Sequence, residues 1–272
     1  MILFPAVDLL AGRVVRLERG DRSRVTVYSD DPAAVAEQFR DAGAQWVHVV
    51  DLSSAFEEDG AARAANDAAI RAIASVPGLS LDVGGGVRSL ERVETLLDLG
   101  VERVAMGTPL VKDRALARAA AAEYGPHLVA DVAARDGVVR VNGWREGTDL
   151  WLTELLGELA EMGFEHVVYT DIARDGMQAG VDGAAYRAAS RAAGFPVVAS
   201  GGVSTIEDVR ALAALGPAVI EGVITGRALY EGTLDLREAL AVLGGTPVPD
   251  AFVPASGTPV SDASVPGKEQ PC

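Results

Sequence analysis

Short, unbroken apolar runs recur along this chain, and between them lie segments whose apolar residues return at helical spacing. An unbroken run is the mark of a strand buried on both faces, whereas the longer period marks a helix with one buried side. Ile2–Val7 is the first such run, and it ends at Asp8. Behind Pro32, a residue suited to the first position of a helix, Val35, Ala36 and Phe39 fall on one face. Further strands are predicted at Trp46–Val50, Leu79–Val83, Arg103–Met106, His127–Ala130, His166–Thr170, Pro196–Ala199 and Val219–Ile224. After a polar loop over 53–64, a helix runs to about Ser75. Others are predicted at Leu90–Leu99, Arg114–Glu123, Leu150–Met162, Asp182–Ala193, Thr205–Leu215 and Leu234–Leu243. Two excursions interrupt the alternation. One is a hairpin made of Gly12–Leu17 and Val25–Tyr28, rich in arginine; the other is a short ribbon at Val138–Val141.

Eight such β–α units in about 245 residues predict a (β/α)8 TIM barrel. An open doubly wound sheet is the competing architecture, but the G-x-G-x-x-G turn it usually carries after its first strand is absent. The barrel reading is strengthened by an internal repeat. Gly85-Gly86-Val87 returns about 116 positions later as Gly201-Gly202-Val203, and Met106-Gly107-Thr108 is answered by Thr225-Gly226-Arg227. Ala6-Val7-Asp8 matches Val129-Ala130-Asp131, each followed by a Val-Val-Arg triplet (14–16 and 138–140). The chain therefore reads as two similar half-barrels. Asp8 and Asp131 face each other across the axis, and the glycine turns lie on the perpendicular diameter. Glycine lets backbone N–H groups approach a ligand, and a helix N-terminus behind it favours an anion. Gly-Gly pairs also serve simply to turn strand into helix. Two matched pairs favour phosphate, and predict a ligand with a phosphate at each end.

From Gly244 onward the sequence turns to Pro, Ser, Thr and Gly without a period, which predicts a disordered tail over 244–272 behind a catalytic barrel over 1–243. A net charge of −15 with no offsetting basic stripe argues against a nucleic-acid partner. Cys272 is the only cysteine, so neither a disulfide framework nor a cysteine zinc site is expected. No apolar run is long enough to span a membrane, and the N-terminus lacks the basic leader of a signal peptide. A cytoplasmic, cofactor-free and metal-free monomer acting on a small bis-phosphorylated molecule is expected.

Carboxylates at the C-terminal mouth of a barrel point to catalysis, although a single aspartate there can instead cap a helix or pin a loop. The three histidines, His48, His127 and His166, fall within or at the start of predicted strands and read as structural. Two carboxyls without a nucleophile suit general acid–base chemistry, provided their surroundings keep one ionised and the other protonated. An aldose–ketose rearrangement needs such a pair. The acid opens a sugar ring to an imine, and the base removes the adjacent carbon-bound proton.

The segments FPAVDLLAGRVVRL, GDRSRVTVYSDDP, VGGGVRS, VNGW, YTDIARDG and ASGGVS with ITGRALYEG, taken together and in order, resemble a histidine-biosynthesis isomerase family. That family acts on phosphoribosylformimino-aminoimidazole carboxamide ribonucleotide. The resemblance spans residues 1 to about 243 and implies an Amadori-type isomerisation without a cofactor. It places the base on Asp8 and the acid on Asp131, with Asp171 of the YTDI motif as rival acid. It makes Trp144 an aromatic that folds over the substrate. Arg16, Gly85, Gly86, Gly107, Thr108, Ser200, Gly201, Gly202, Gly226 and Arg227 become substrate and phosphate contacts. The chain departs from the family pattern at Ser53, Met177 and Val181-Asp182. Three alternatives stay open. A bifunctional isomerase that also takes the tryptophan-pathway substrate typically has an Arg-Gly-Arg-Gly-Trp segment where this chain has Val141-Asn142-Gly143-Trp144. The sister cyclase typically has Lys where Arg16 stands. The third is a barrel that binds phosphate and has lost its activity.

Overall fold

The computed structural model describes residues 1–18, 21–177, 180–244 and 258–259. Eight parallel strands form its centre: β1 (Ile2–Leu10), β2 (Trp46–Asp51), β3 (Ser80–Gly84), β4 (Arg103–Met106), β5 (Leu128–Arg135), β6 (His166–Asp171), β7 (Val197–Ser200) and β8 (Ile220–Thr225). Each pairs with the next in chain order, and β8 returns to pair with β1, Phe4 lying opposite Ile224, so the sheet closes on itself. Closure satisfies both edges and makes the predicted (β/α)8 barrel.

The outer layer is α1 (Pro32–Asp41), α2 (Gly60–Ala74), α3 (Leu90–Asp98), α4 (Arg114–Tyr124), α5 (Leu152–Met162), α6 (Gly183–Ala193), α7 (Ile206–Ala213) and α8 (Leu236–Val242). Their starts are set locally. Asp31 accepts from the Ala34 N–H ahead of Pro32, and Asp59, Asp113, Asp182 and Asp235 cap α2, α4, α6 and α8 in the same way. Outward-facing strand residues such as Val7, Val49, Val83 and Val223 bury against the helices' apolar sides. Inward residues form a second, separate core of Phe4, Ala6, Ala105, Val129, Val168, Val198 and Ile224. Each fully buried valine, leucine or phenylalanine contributes about 1.5–3 kcal/mol.

The barrel interior is stratified. At its N-terminal end Glu221 pairs with Arg103 at 2.8 Å and with His166 at 3.0 Å, while the Arg103 guanidinium sits over the Trp46 ring. The apolar core lies above this layer. Asp8, His48 and Asp131 come next, at the C-terminal mouth.

Several boundaries differ from the sequence reading. β1 and β5 do not stop at Asp8 and Asp131; they run on as arms of antiparallel hairpins with Arg13–Glu18 and Val138–Val141. α2 starts at Gly60, because Asp59 caps it within the stretch read as loop, and Leu52–Ala55 makes a short helix of its own. Glu146–Trp151, partly read as helix, is a further ribbon strand paired with Val138–Val141. The predicted tail lies outside the described residues, apart from Gly244 and from Thr258–Pro259, which pair with Thr26 and Val27. Among the described residues no helix is long and apolar enough to cross a membrane.

Candidate active site

The pocket at the mouth is bounded at one end by the turns after β3 and β4, and at the other by those after β7 and β8. At the first end stand Gly85, Gly86, Gly107 and Thr108; at the second stand Ser200, Gly201, Gly202, Gly226 and Arg227. Asp8, Arg16, Asp131 and Trp144 line the space between. Thirteen of the fourteen residues singled out from the sequence thus share one cavity, and Asp171 alone is not among its lining residues.

The two ends are built alike. Gly85 has φ +98° and Gly201 has φ +88°, a left-handed region that disfavours side chains. A Cβ at either would overlap the backbone carbonyl ending the preceding barrel strand, Asp51 for one and Asp171 for the other. Glycine therefore lets these turns fold back on the barrel. The helix termini behave less simply than expected. Asp208 fills the first turn of α7, accepting from the Ser204 and Thr205 N–H groups, and Ser89 caps α3. The short helices Pro109–Lys112 and Arg227–Tyr230, which follow β4 and β8, have no side-chain cap. In the first of these the Leu110, Val111 and Lys112 N–H groups are already taken by the Gly107 and Thr108 carbonyls, so at that end the glycine turns themselves are what an anion would meet.

The repeat also explains Asp171. Its counterpart is Asp51, which caps the turn after β2 by accepting from the Ser54 N–H at 2.9 Å and from Asn66 and Arg92. Asp171 likewise accepts from the Ala173 N–H at 3.1 Å and lies 3.4 Å from Arg174. Both carboxyls hold a loop rather than face the cavity. The carboxyl that does reach it from β6 is Asp175, four residues on. Enclosure pushes Asp175 above the usual carboxyl range; Arg16 opposes that, and Asp8 adds to it.

The two opposed carboxyls sit in unlike surroundings. Asp8 accepts from Arg16 at 2.8 Å. Asp131 has no such cation against it: enclosure raises its pKa, the nearby His48 works against the rise, and Asp82 reinforces it. His48 was read as structural, yet it lines the pocket, with Nδ1 3.6 Å from Asp82. Burial pulls His48 down, but Asp82, Asp131 and Asp8 together push it above its ordinary value. The other histidines lie elsewhere, His166 in the N-terminal layer and His127 against the Glu102 carbonyl. Trp144 closes a run of left-handed residues, Asn142, Gly143 and Trp144, at the rim. Sequence reading also passed over Arg88, Arg140 and Phe56 as lining residues. The repeated Val-Val-Arg triplet was the available signal for Arg140. Among the described residues no cluster of three or more His, Cys, Asp or Glu could hold a metal ion.

A family model described as histidine biosynthesis protein matches residues 2–235. Curated relatives share the name 1-(5-phosphoribosyl)-5-((5-phosphoribosylamino)methylideneamino) imidazole-4-carboxamide isomerase. That of Dinoroseobacter shibae is 46% identical over 243 residues, covering 89% of this chain and 99% of the relative. That of Rhizorhabdus wittichii is 46% identical over 245 residues, covering 90% and 99%. That of Paracoccus denitrificans is 46% identical over 243 residues, covering 89% and 100%.

Proposed function

This chain belongs to the histidine biosynthesis protein family, and on that premise we propose that it is the isomerase its relatives are named for. The substrate named for those relatives carries two 5-phosphoribosyl groups, hence a phosphate at each end. One observation carries the reading. A single pocket has a glycine turn pair at each end and, between them, two carboxyls on opposite strands in unlike surroundings.

In this reading the turns grip the two phosphates, and the ribose to be rearranged lies between Asp8 and Asp131. Asp131, whose proton enclosure makes harder to lose, gives that proton to the ribose ring oxygen as the ring C–O bond opens and an imine forms. Asp8, held by Arg16, takes the proton from the neighbouring carbon. The resulting enolamine tautomerises to the ketose. All electrons stay within the substrate, so the rearrangement needs neither oxidant nor cofactor. Every group this chemistry uses comes from one barrel, which supports a single chain as the working unit.

Asp175 competes for the acid role, because it too lines the pocket with a raised pKa. Single-turnover comparison of Asp131→Asn with Asp175→Asn separates them, since only loss of the true acid blocks ring opening. Assay of the purified protein on this substrate and on phosphoribosylanthranilate tests the function itself. Turnover of the first is expected, and turnover of neither would refute the proposal.

A further inference from the structure

Among the described residues four arginines line the pocket: Arg16, Arg88, Arg140 and Arg227. The protein itself engages three of them. Arg16 pairs with Asp8 at 2.8 Å, and Arg227 with Glu231 at 2.6 Å. Arg88 donates to the Ser54 and Ala55 carbonyls and lies 3.3 Å from Glu57. Arg140 is different. Its Nε is buried without a hydrogen-bond partner, and among the described residues its guanidinium has no carboxylate. A guanidinium whose Nε is buried without a partner is costly unless a ligand supplies the missing acceptor.

Its position indicates which anion. Arg140 lies opposite Ala133 of β5 in the antiparallel ribbon, cross-strand partners face the same side, and Ala133 lines the pocket. Two residues on, the Asn142 N–H donates to Thr108 Oγ1 at 3.2 Å, which fastens the ribbon to the turn after β4. In the internal repeat Thr108 occupies the place that Arg227 holds in the second half. The turn after β8 thus carries a guanidinium at this position and the turn after β4 a neutral hydroxyl, while Arg88, in the turn after β3, is held by the Ser54 and Ala55 carbonyls and by Glu57.

We propose that Arg140 supplies an uncommitted positive charge at the first end, binding the substrate phosphate seated against Gly85, Gly86, Gly107 and Thr108. It would be the counterpart of Arg227 at the opposite end. The proposal rests on the two-phosphate reading given above.

Arg140→Gln and Arg140→Lys of the full chain test it, through steady-state kinetics on the isomerase substrate and competitive inhibition by inorganic phosphate. Losing a charged hydrogen-bond donor is expected to raise KM by roughly tenfold to a hundredfold in the Gln variant, more than it lowers kcat. Inhibition by phosphate should weaken in parallel, and lysine should recover part of both. A KM within twofold of wild type would overturn the proposal. So would a raised KM with phosphate inhibition unchanged, since the guanidinium would then contact another part of the substrate. Should the Gln variant fail to fold, the Lys variant, which keeps charge but loses the planar fork, must still raise KM several-fold. An unchanged KM there overturns the assignment. Absence of turnover in the wild-type chain would instead refute the function, so the two failures are told apart.

Discussion

Replacing Gly201 with alanine tests the turn geometry on which phosphate binding depends. Gly201 has φ +88°, and a Cβ there would stand 2.6 Å from the Asp171 carbonyl oxygen, a backbone atom tied into the barrel. Gly194, at the C-terminal end of α6, is the control. Its φ is +80°, and a Cβ there would meet nothing within 4 Å. Alanine in the left-handed region costs about 1–2 kcal/mol at either site, and the smaller entropy of the unfolded chain offsets part of it equally. Only Gly201→Ala adds the overlap, worth about 1–3 kcal/mol by analogy with overpacked cores. At about 2–4 °C per kcal/mol for a domain of this size, Gly201→Ala should melt about 2–12 °C below Gly194→Ala. Because its N–H would also swing away from the bound anion, its KM should rise while that of Gly194→Ala stays at the wild-type value. Thermal denaturation of both variants, followed by steady-state kinetics, reads these differences. Equal melting temperatures together with equal KM values would refute the reasoning about the turn.

Asp131→Asn should lower turnover by at least about a hundredfold, the usual contribution of a general acid. The same change should make the protein more stable at pH 7. The folded-state pKa of Asp131 is raised, so the stability it contributes is complete below its unfolded value and is lost as pH rises through the folded one. The variant's advantage, followed by melting temperature against pH, should therefore shrink toward zero near pH 4; an advantage independent of pH would contradict the enclosure argument. Truncation after Gly245 should leave kcat within about twofold of the full chain, the tolerance expected of a segment outside the barrel. A severe loss of kcat would give the tail a catalytic part.

The barrel was legible because its strands are buried on both faces and so read as unbroken apolar runs, with the first helix marked by Pro32 and the others by apolar residues at helical spacing. The half-barrel repeat brought Asp8, Asp131 and the glycine turns to one mouth, the family resemblance added Arg16 and Trp144, and all of them line one cavity. Asp171 lies outside the cavity lining for a reason the repeat already contained. It aligns with Asp51, a carboxyl that caps a turn, and not with Asp8. His48 was missed because an apolar run hides which of its members points inward. Register with Ala6 places it one layer below Asp8, where a histidine faces the cavity rather than the helices. The Glu146–Trp151 strand reads partly as helix because four of its six positions are exposed, leaving little apolar pattern to read. Arg140 sits on a ribbon whose direction is set by cross-strand pairing, and Asp175 in a turn folded back on the Asp171 carbonyl, neither of which spacing along the chain records.

The most direct measurement is turnover by Asp8→Asn, with substrate affinity determined in parallel by calorimetry. With the phosphate turns untouched, the account predicts near-normal binding and turnover reduced to background. Turnover close to wild type in that variant would contradict it, because the proton would then be leaving by a route that does not use this carboxylate.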